Sequence, residues 1–232
     1  MAKIKFSALV QEMRNKLNGS VLSKNRYGNY VRNKTTPVNP RTAAQQAVRA
    51  RLSTVSTAWR GLTSAAREGF TALAASHPFT DIFGDQKILD GKAMFSKLNM
   101  NLLNAGKSML SAAQPFVAIP YLEINSATVE DDGTVSLAVS EATVPVGHTL
   151  IVAATPMLSP TINFVKNQFR DLGTFSAVAG VVDLGSAYAA KFGAPTPADV
   201  GKRIAFRAFL VNDTTGQTSI ASQAWGVVNP NE

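Results

Sequence analysis

The sequence predicts an α+β protein with three parts: an extended basic N-terminal arm, a small helical unit and a C-terminal antiparallel β-domain. Three observations predict this division. Residues 18–41 are interrupted by glycine, proline and asparagine, residues 42–110 place apolar side chains at helical spacing, and the apolar period changes to two after a linker at 111–120. The boundaries expected from these patterns are 1–41, 42–110, 111–120 and 121–232.

The arm, residues 1–41, is expected to be extended. Its first 17 residues fit either a short helix or a strand beginning at Lys-Ile-Lys-Phe, and the stretch Asn-Tyr-Val-Arg-Asn-Lys-Thr-Thr alternates weakly enough to form a strand. Pro37 and Pro40 hold the residues before them in extended conformations. Because the arm has few large apolar side chains, it can bury little surface by itself.

Three helices are expected in residues 42–110. Thr42 and Gln45 form a capping-box pattern at the start of the first helix, which carries its apolar stripe at 48, 52, 55, 59 and 62. A second helix begins at Thr63 or Ser64. A third runs from about Asp90 to Asn104 and is expected to end at Gly106, since glycine readily adopts the left-handed conformation that follows a helix.

The region 121–232 predicts six or seven short strands. Asp132-Gly133 marks a hairpin. Further strands are expected at residues 148–155, 173–185, 203–212 and 218–228. Residues 183–203 interrupt the pattern and are expected to hold a short helix. This number of strands in about 110 residues is typical of an immunoglobulin-like or fibronectin-III-like sandwich.

The charge is unevenly distributed along the 232 residues, whose net charge is +8. Residues 1–110 carry a balance of +12 and residues 111–232 a balance of −4, and no acid occurs between Glu12 and Glu68. Only 16% of residues are charged, against about 25% in typical globular proteins. A sparsely charged surface is easier to bury against other chains, and a basic run without acids favours contact with acidic protein faces or phosphates.

The residue types needed for catalysis or metal binding are sparse. The chain has no cysteine, and its two histidines, His77 and His148, adjoin a proline and a glycine in predicted turns. Two isolated histidines do not supply the ligand set of a usual zinc or iron site, and no serine lies in a nucleophile-elbow motif. We therefore expect no catalytic, metal-binding or cofactor-binding residues, no cofactor, no small-molecule substrate, and no membrane span, since no apolar run approaches about 20 residues.

The candidate functional residues are basic and aromatic side chains of the arm and the first helix. Tyr27 and Tyr30 alternate with Arg26 and Arg32, a pattern that suits both stacking on nucleic acid and anchoring on a protein surface. Tyrosine and arginine are also the residue types that dominate protein interfaces, which favours protein as the partner. The predicted partner-binding residues are Arg26, Tyr27, Tyr30, Arg32, Lys34, Arg41, Arg49, Arg51 and Arg60.

Residues 19–110 contain a motif that resembles a known group of proteins. Pro37, Asn39, Pro40, Thr42 and Gln45 are followed by Arg49 and by the pair Trp59-Arg60, and a later segment contains Phe95, Leu98, Asn99, Asn101 and Leu102. This combination resembles a broad family of uncharacterised virion structural proteins of tailed phages and prophages, including phages of Bacteroidetes. The resemblance implies a structural part of the particle, a C-terminal immunoglobulin-like domain and no catalytic residues.

The functional expectation is accordingly a non-enzymatic capsid, neck or tail component. Its arm and helices are expected to contact neighbouring virion proteins and further copies of the chain, in a virion assembled in the host cytoplasm. Two alternatives stay open: a nucleic-acid-binding packaging or internal virion protein, and a β-sandwich module that binds the host surface.

Overall fold

The computed structural model describes residues 2–7, 10 and 12–231. It divides into two compact units. The first comprises the described residues up to Ala50 together with Pro78–Ile88, and the second comprises Arg51–His77 and the described residues from Leu89 onward. The predicted helical unit therefore contributes to both, because the first helix begins in one unit and ends in the other.

The first unit contains a four-stranded antiparallel sheet. Its strands are β1 (Ala2–Lys3), β2 (Asn15–Leu17), β3 (Ser20–Asn25) and β4 (Gly28–Asn33), in the order β1-β4-β3-β2. The segment expected to be an extended arm is thus organised as a sheet over most of residues 15–33. The side chain of Asn25 accepts a hydrogen bond from the Tyr27 N–H, and Gly28 adopts φ +114°, so the chain reverses tightly between β3 and β4.

The same unit also holds a small hairpin, β5 (Phe79–Thr80) and β6 (Gln86–Lys87). Asp81 organises the turn between these strands: its Oδ1 accepts hydrogen bonds from the N–H groups of Phe83 and Asp85. Its Oδ2 accepts from Lys3 Nζ at 3.0 Å, which ties the hairpin to β1. Residues 34–41, in contrast, form neither strand nor helix.

The three expected helices are confirmed as α1 (Ala43–Gly61), α2 (Ser64–Ser76) and α3 (Gly91–Asn104). Thr42 Oγ1 accepts a hydrogen bond from Gln45 N, and Thr63 Oγ1 accepts one from Ala66 N, so both helices have the expected N-caps. Gly106 follows α3 with φ +71°, and the Lys107 N–H donates to Leu102 O, which is the hydrogen bond of a Schellman cap.

In the second unit the helices share an aromatic core. Phe70 of α2 and Phe95 of α3 pack edge to face with ring centroids 5.1 Å apart, and Trp59 of α1 lies 5.4 Å from Phe95. Val55 is fully buried against the same cluster. The predicted linker 111–120 lacks regular secondary structure and adds Phe116 to this core.

The C-terminal region forms one seven-stranded sheet. Its strands are β7 (Ile124–Glu130), β8 (Val135–Val139), β9 (His148–Ala154), β10 (Arg170–Phe175), β11 (Val181–Asp183), β12 (Arg203–Asn212) and β13 (Ser222–Asn229). The order is β10-β9-β12-β13-β7-β8-β11. The hairpin at Asp132-Gly133 and the short helix, α4 (Gly185–Phe192), are confirmed.

Two details differ from the expected all-antiparallel arrangement of strands. β13 pairs in parallel with β7, because Val228 and Asn229 lie beside Val129 and Glu130 in the same chain direction. The segment predicted as one strand around residues 173–185 is divided into β10 and β11. Ala179 and Gly180 adopt φ +50° and +78° there, and the chain turns back so that Val178 pairs with Val181.

The sheet encloses the larger core of the second unit. Six of its seven strands contribute buried side chains, and β10 adds the partly buried Leu172 and Phe175. The outermost strands, β10 and β11, are consecutive in the chain and separated only by residues 176–180. The two ends of the sheet therefore lie close together, and the sheet curls nearly shut around Tyr188, Phe206 and their neighbours.

Candidate partner interface

The four-stranded sheet carries five of the predicted partner-binding residues. Arg26 and Tyr27 occupy the turn between β3 and β4, Tyr30 and Arg32 lie on β4, and Lys34 follows the strand, its N–H bonded to Gly19 O at 2.8 Å. The other four do not join them on the sheet: Arg41 precedes α1, and Arg49, Arg51 and Arg60 lie along it.

Strand alternation gives the sheet two different faces. Lys16, Val21 and Arg32 are aligned across three strands, so their side chains share one face, and Tyr30 lies two residues from Arg32 on the same side. The opposite face carries Leu22 and Val31 side by side. One face therefore combines Lys16, Tyr30 and Arg32 with Val21, and the other combines Leu22 and Val31 with Lys24.

Neither face is buried. In the first unit, no described residue is buried as a whole, and even Leu22 and Val31 keep part of their surface exposed. A sheet normally gains its stability by burying one face against another layer. The small hairpin at 79–87 contacts the sheet through the edge-to-face packing of Phe79 on Tyr27 and through the Lys3–Asp81 ion pair, and it buries no residue of the sheet. The sheet consequently leaves apolar surface available for another chain.

The first half of α1 also exposes apolar side chains. The predicted stripe is fully covered at Val55, which has no exposed surface, and half-covered at Trp59 and Leu62. At Val48, two turns earlier, 52% of the surface is exposed, and at Leu52, one turn earlier, 48% is exposed. The apolar stripe thus extends beyond the part of α1 that contacts the other helices.

The arginines of α1 border this exposed stripe. Arg49 and Arg60 lie off the stripe with exposed side chains, and Arg60 donates to Thr57 Oγ1 at 3.4 Å. Arg51 donates to Asn104 Oδ1 at the end of α3. Arg41 adopts φ +52° and its carbonyl oxygen accepts a hydrogen bond from Gln46 Nε2, which turns the chain into the helix.

Sequence reasoning missed Lys3, Lys5 and the acids that hold them. Lys3 and Lys5 pair with Asp81 and Asp85 at 3.0 and 3.1 Å. Desolvation raises the pKa of Asp81, but the hydrogen bonds from Lys3 Nζ and from the N–H groups of Phe83 and Asp85 outweigh it, so the pKa is lowered to about 2. These lysines therefore organise the unit; Lys-Ile-Lys-Phe indicated a possible strand here, but nothing in the neighbouring sequence indicated the distant acids.

The histidines occupy structural positions. His77 stacks on Phe116 with ring centroids 4.2 Å apart, and His148 lies between Val146 O and Asn212 Nδ2, at 3.0 and 3.3 Å. Within the described residues, no three His, Cys, Asp or Glu side chains form a group that could hold a metal ion. No described helix has the length and apolar character needed to cross a membrane.

Comparisons with protein-family models, with curated proteins and with solved structures find no match to this chain.

Proposed function

We propose that this protein is a non-enzymatic structural component of a tailed-phage virion that docks on neighbouring subunits through its N-terminal sheet and the first half of α1. The observation that carries the proposal is the incomplete burial of these two elements. The four-stranded sheet has no buried residue, and α1 exposes Val48 and Leu52 on the stripe that buries Val55. A neighbouring subunit would supply the missing layer.

The charge of the same elements constrains the partner. No acid occurs from residue 13 to residue 67, so a two-fold contact between two copies of α1 would bring Arg49 and Arg51 of both chains together. Like charges across an interface oppose association. The favoured contact is therefore heterologous, with an acidic and apolar face of a different virion protein or of the C-terminal region of another copy, whose balance is −4. Heterologous contacts generate rings or extended assemblies.

The strand order of the C-terminal sheet supports an immunoglobulin-like domain as part of this proposal. Along the chain, β7, β8, β9, β10, β11, β12 and β13 correspond to strands A, B, C, C′, E, F and G. In the sheet, β7, β8 and β11 are neighbours as A, B and E are, and β10, β9, β12 and β13 are neighbours as C′, C, F and G are. Such domains often serve as peripheral modules of larger assemblies. The domain lacks the cysteine pair of antibody domains and a counterpart of strand D.

The test uses charge placed on the stripe. Val48→Asp combined with Leu52→Asp is expected to leave the thermal unfolding temperature unchanged and to abolish incorporation into particles in a complementation assay. The matched control is Ala65→Asp with Ala72→Asp, which adds the same charge at two exposed positions of α2. Deleting residues 1–41 is expected to give a folded protein that no longer enters particles. Normal incorporation of the stripe variant and the truncation would contradict the proposal.

Nucleic acid is the second candidate partner, because Lys16, Tyr30 and Arg32 share one face of the sheet. It predicts tight DNA binding by the purified protein that weakens steeply with salt, because phosphate contacts release counterions. Arg32→Gln with Lys16→Gln would lower that affinity, whereas the stripe variant Val48→Asp with Leu52→Asp would block protein contacts. Weak binding at physiological salt would exclude this candidate.

A further inference from the structure

A pocket of about 350 Å³ lies on the outer face of the C-terminal sheet, and none of its lining residues belongs to the N-terminal sheet or to α1. Arg207 of β12 and Gln223 of β13 form its floor, and they are directly paired across the two strands. Its wall is the loop between β9 and β10, which contributes Asn163, Phe164, Lys166 and Phe169. The volume falls in the range of small-ligand sites and fits a single sugar ring.

The pocket wall is anchored on the sheet. Val165 and Leu158 of the loop are buried with Ala205 of β12, and Phe169 of the loop and Trp225 of β13 both pack against this cluster. The guanidinium of Arg203 lies 4.3 Å from the centre of the Trp225 ring and donates to Pro160 O at 3.3 Å. The pocket is therefore a built feature of the fold, formed by strands and a packed loop.

Arg207 is the unusual residue of this pocket. Its Nε is shielded from solvent and has no hydrogen-bond acceptor, and its guanidinium carbon lies 5.7 Å from the centre of the Phe209 ring. Among the described residues, neither Arg207 nor Lys166 forms a salt bridge, and no carboxylate lines the pocket. A partly buried guanidinium without an anion has lost hydration that no protein group replaces.

The ligand chemistry follows from the remaining groups. A carboxylate can accept from Nε–H and one Nη–H of a guanidinium together, after the Arg207 head group turns within the pocket, and Lys166 adds a second positive charge. The Asn163 and Gln223 amides offer the mixed donors and acceptors that hydroxyl groups require. Phe169 is partly exposed and Phe164 is 74% exposed, so both rings present apolar surface to the C–H face of a sugar.

We propose that this pocket binds a carboxylated sugar, such as a uronic acid residue of a surface polysaccharide. The carboxylate pairs with Arg207 and Lys166, the hydroxyl groups bond to Asn163 and Gln223, and the ring lies against Phe164 and Phe169. A bare phosphate would use the two cations alone and would leave the amides and rings without a role. This activity is separate from subunit docking and would give the C-terminal domain a binding function at the host surface.

The test is a titration of the full-length protein with D-glucuronate, followed by NMR chemical shifts and calorimetry. A dissociation constant of about 1 mM is expected for a single sugar in an open pocket, with glucose and acetate binding at least about tenfold more weakly. Inorganic phosphate is the second arm. Glucuronate binding no tighter than glucose, or no tighter than phosphate, would overturn the proposal, as would the absence of binding at tens of millimolar.

Variants locate the site. Arg207→Gln and, separately, Lys166→Gln are each expected to weaken glucuronate binding by about tenfold or more, since each removes a charge-assisted contact. Lys166 is exposed, so its variant keeps the fold even if Arg207→Gln does not. Lys97→Gln, at an exposed lysine of α3, is the matched control and is expected to bind glucuronate normally. Unchanged affinity in the Lys166 and Gln223→Ala variants would show that binding occurs elsewhere.

Discussion

The side-chain amide of Asn101 donates a hydrogen bond to the carbonyl oxygen of Gly216 at 2.9 Å, joining α3 to the loop between β12 and β13 across 115 residues. Lys107 and Asp213 form a salt bridge at 2.9 Å in the same region, and Ala105 packs with Ile151 and Val211 of the sheet. Helix and sheet of the second unit are therefore held together by polar and apolar contacts at one place.

Gly216 is expected to tolerate no side chain. It adopts φ +72°, and a β-carbon at this position would lie 2.5 Å from Leu98 O. Gly216→Ala therefore combines backbone strain with a clash against a helix backbone, and we expect a loss of about 2–4 kcal/mol in the free energy of unfolding. Chemical denaturation measures it. Gly147→Ala is the control, since Gly147 has a similar φ of +75° but open space around it, and a loss equal to that of Gly216→Ala would contradict the clash.

Tyr188 is expected to stabilise the sheet through its hydroxyl group. The ring is fully buried, and its hydroxyl donates to Thr155 O at 3.1 Å. Tyr188→Phe keeps the ring and leaves a buried carbonyl oxygen with one donor fewer, so we expect a loss of about 1–3 kcal/mol in the free energy of unfolding. Tyr121→Phe, at a half-exposed position, is expected to change it by less than about 0.5 kcal/mol. Equal effects of the two substitutions would be inconsistent with this role.

The exposed stripe of α1 is expected to contribute little to the stability of the isolated protein. Val55→Ala removes a fully buried side chain from the helical core and should cost about 1–3 kcal/mol, because it leaves a cavity. Val48→Ala, two turns earlier on the same stripe, should change the free energy of unfolding by less than about 0.5 kcal/mol. Thermal unfolding of the two variants tests this, and a large loss for Val48→Ala would mean that the chain itself covers this surface.

Asp81 is expected to make the first unit acid-sensitive. Its pKa of about 2 lies below the value of about 3.9 in an unfolded chain, so the carboxylate stabilises the folded unit fully above about pH 4. This stabilisation is lost as the pH falls from about 4 towards 2. The protection factors of amides in β1 and in residues 79–87, which correct for the intrinsic pH dependence of exchange, should therefore fall over that range. Asp81→Asn removes this dependence, and Glu141→Gln serves as the control; the same acid response in both variants would refute the assignment.

Local signals explain why the helices were predicted closely. Thr42, Thr63 and Gly106 act through hydrogen bonds and backbone conformations within a few residues of themselves, so their effect can be read from sequence. The same holds for Gly133, whose φ of +98° permits the hairpin between β7 and β8. The turn at Ala179 escaped prediction, because alanine rarely adopts φ +50° and carries no turn signature.

The pairing within the N-terminal sheet was the largest part of the fold that sequence reasoning did not anticipate. Its strands contain little apolar surface, so they lack the strong alternation that marks a buried sheet. Asn25 and Gly28 gave a local sign of the turn between β3 and β4. The contact of Lys3 with Asp81, however, spans 78 residues and has no signature in the neighbouring sequence.

The sequence by itself determined the α+β fold class, the helices and the strand-rich C-terminal region. It also determined the concentration of positive charge before residue 68. All of these depend on composition and short-range periodicity. Only the tertiary structure decided which apolar side chains stay uncovered and which arginine has a buried Nε without an acceptor. Val48 and Val55 are equivalent on the helical stripe but differ in burial, and Arg207 differs from other arginines only through its surroundings. Burial depends on which distant segments pack together, and short-range sequence patterns do not contain that information.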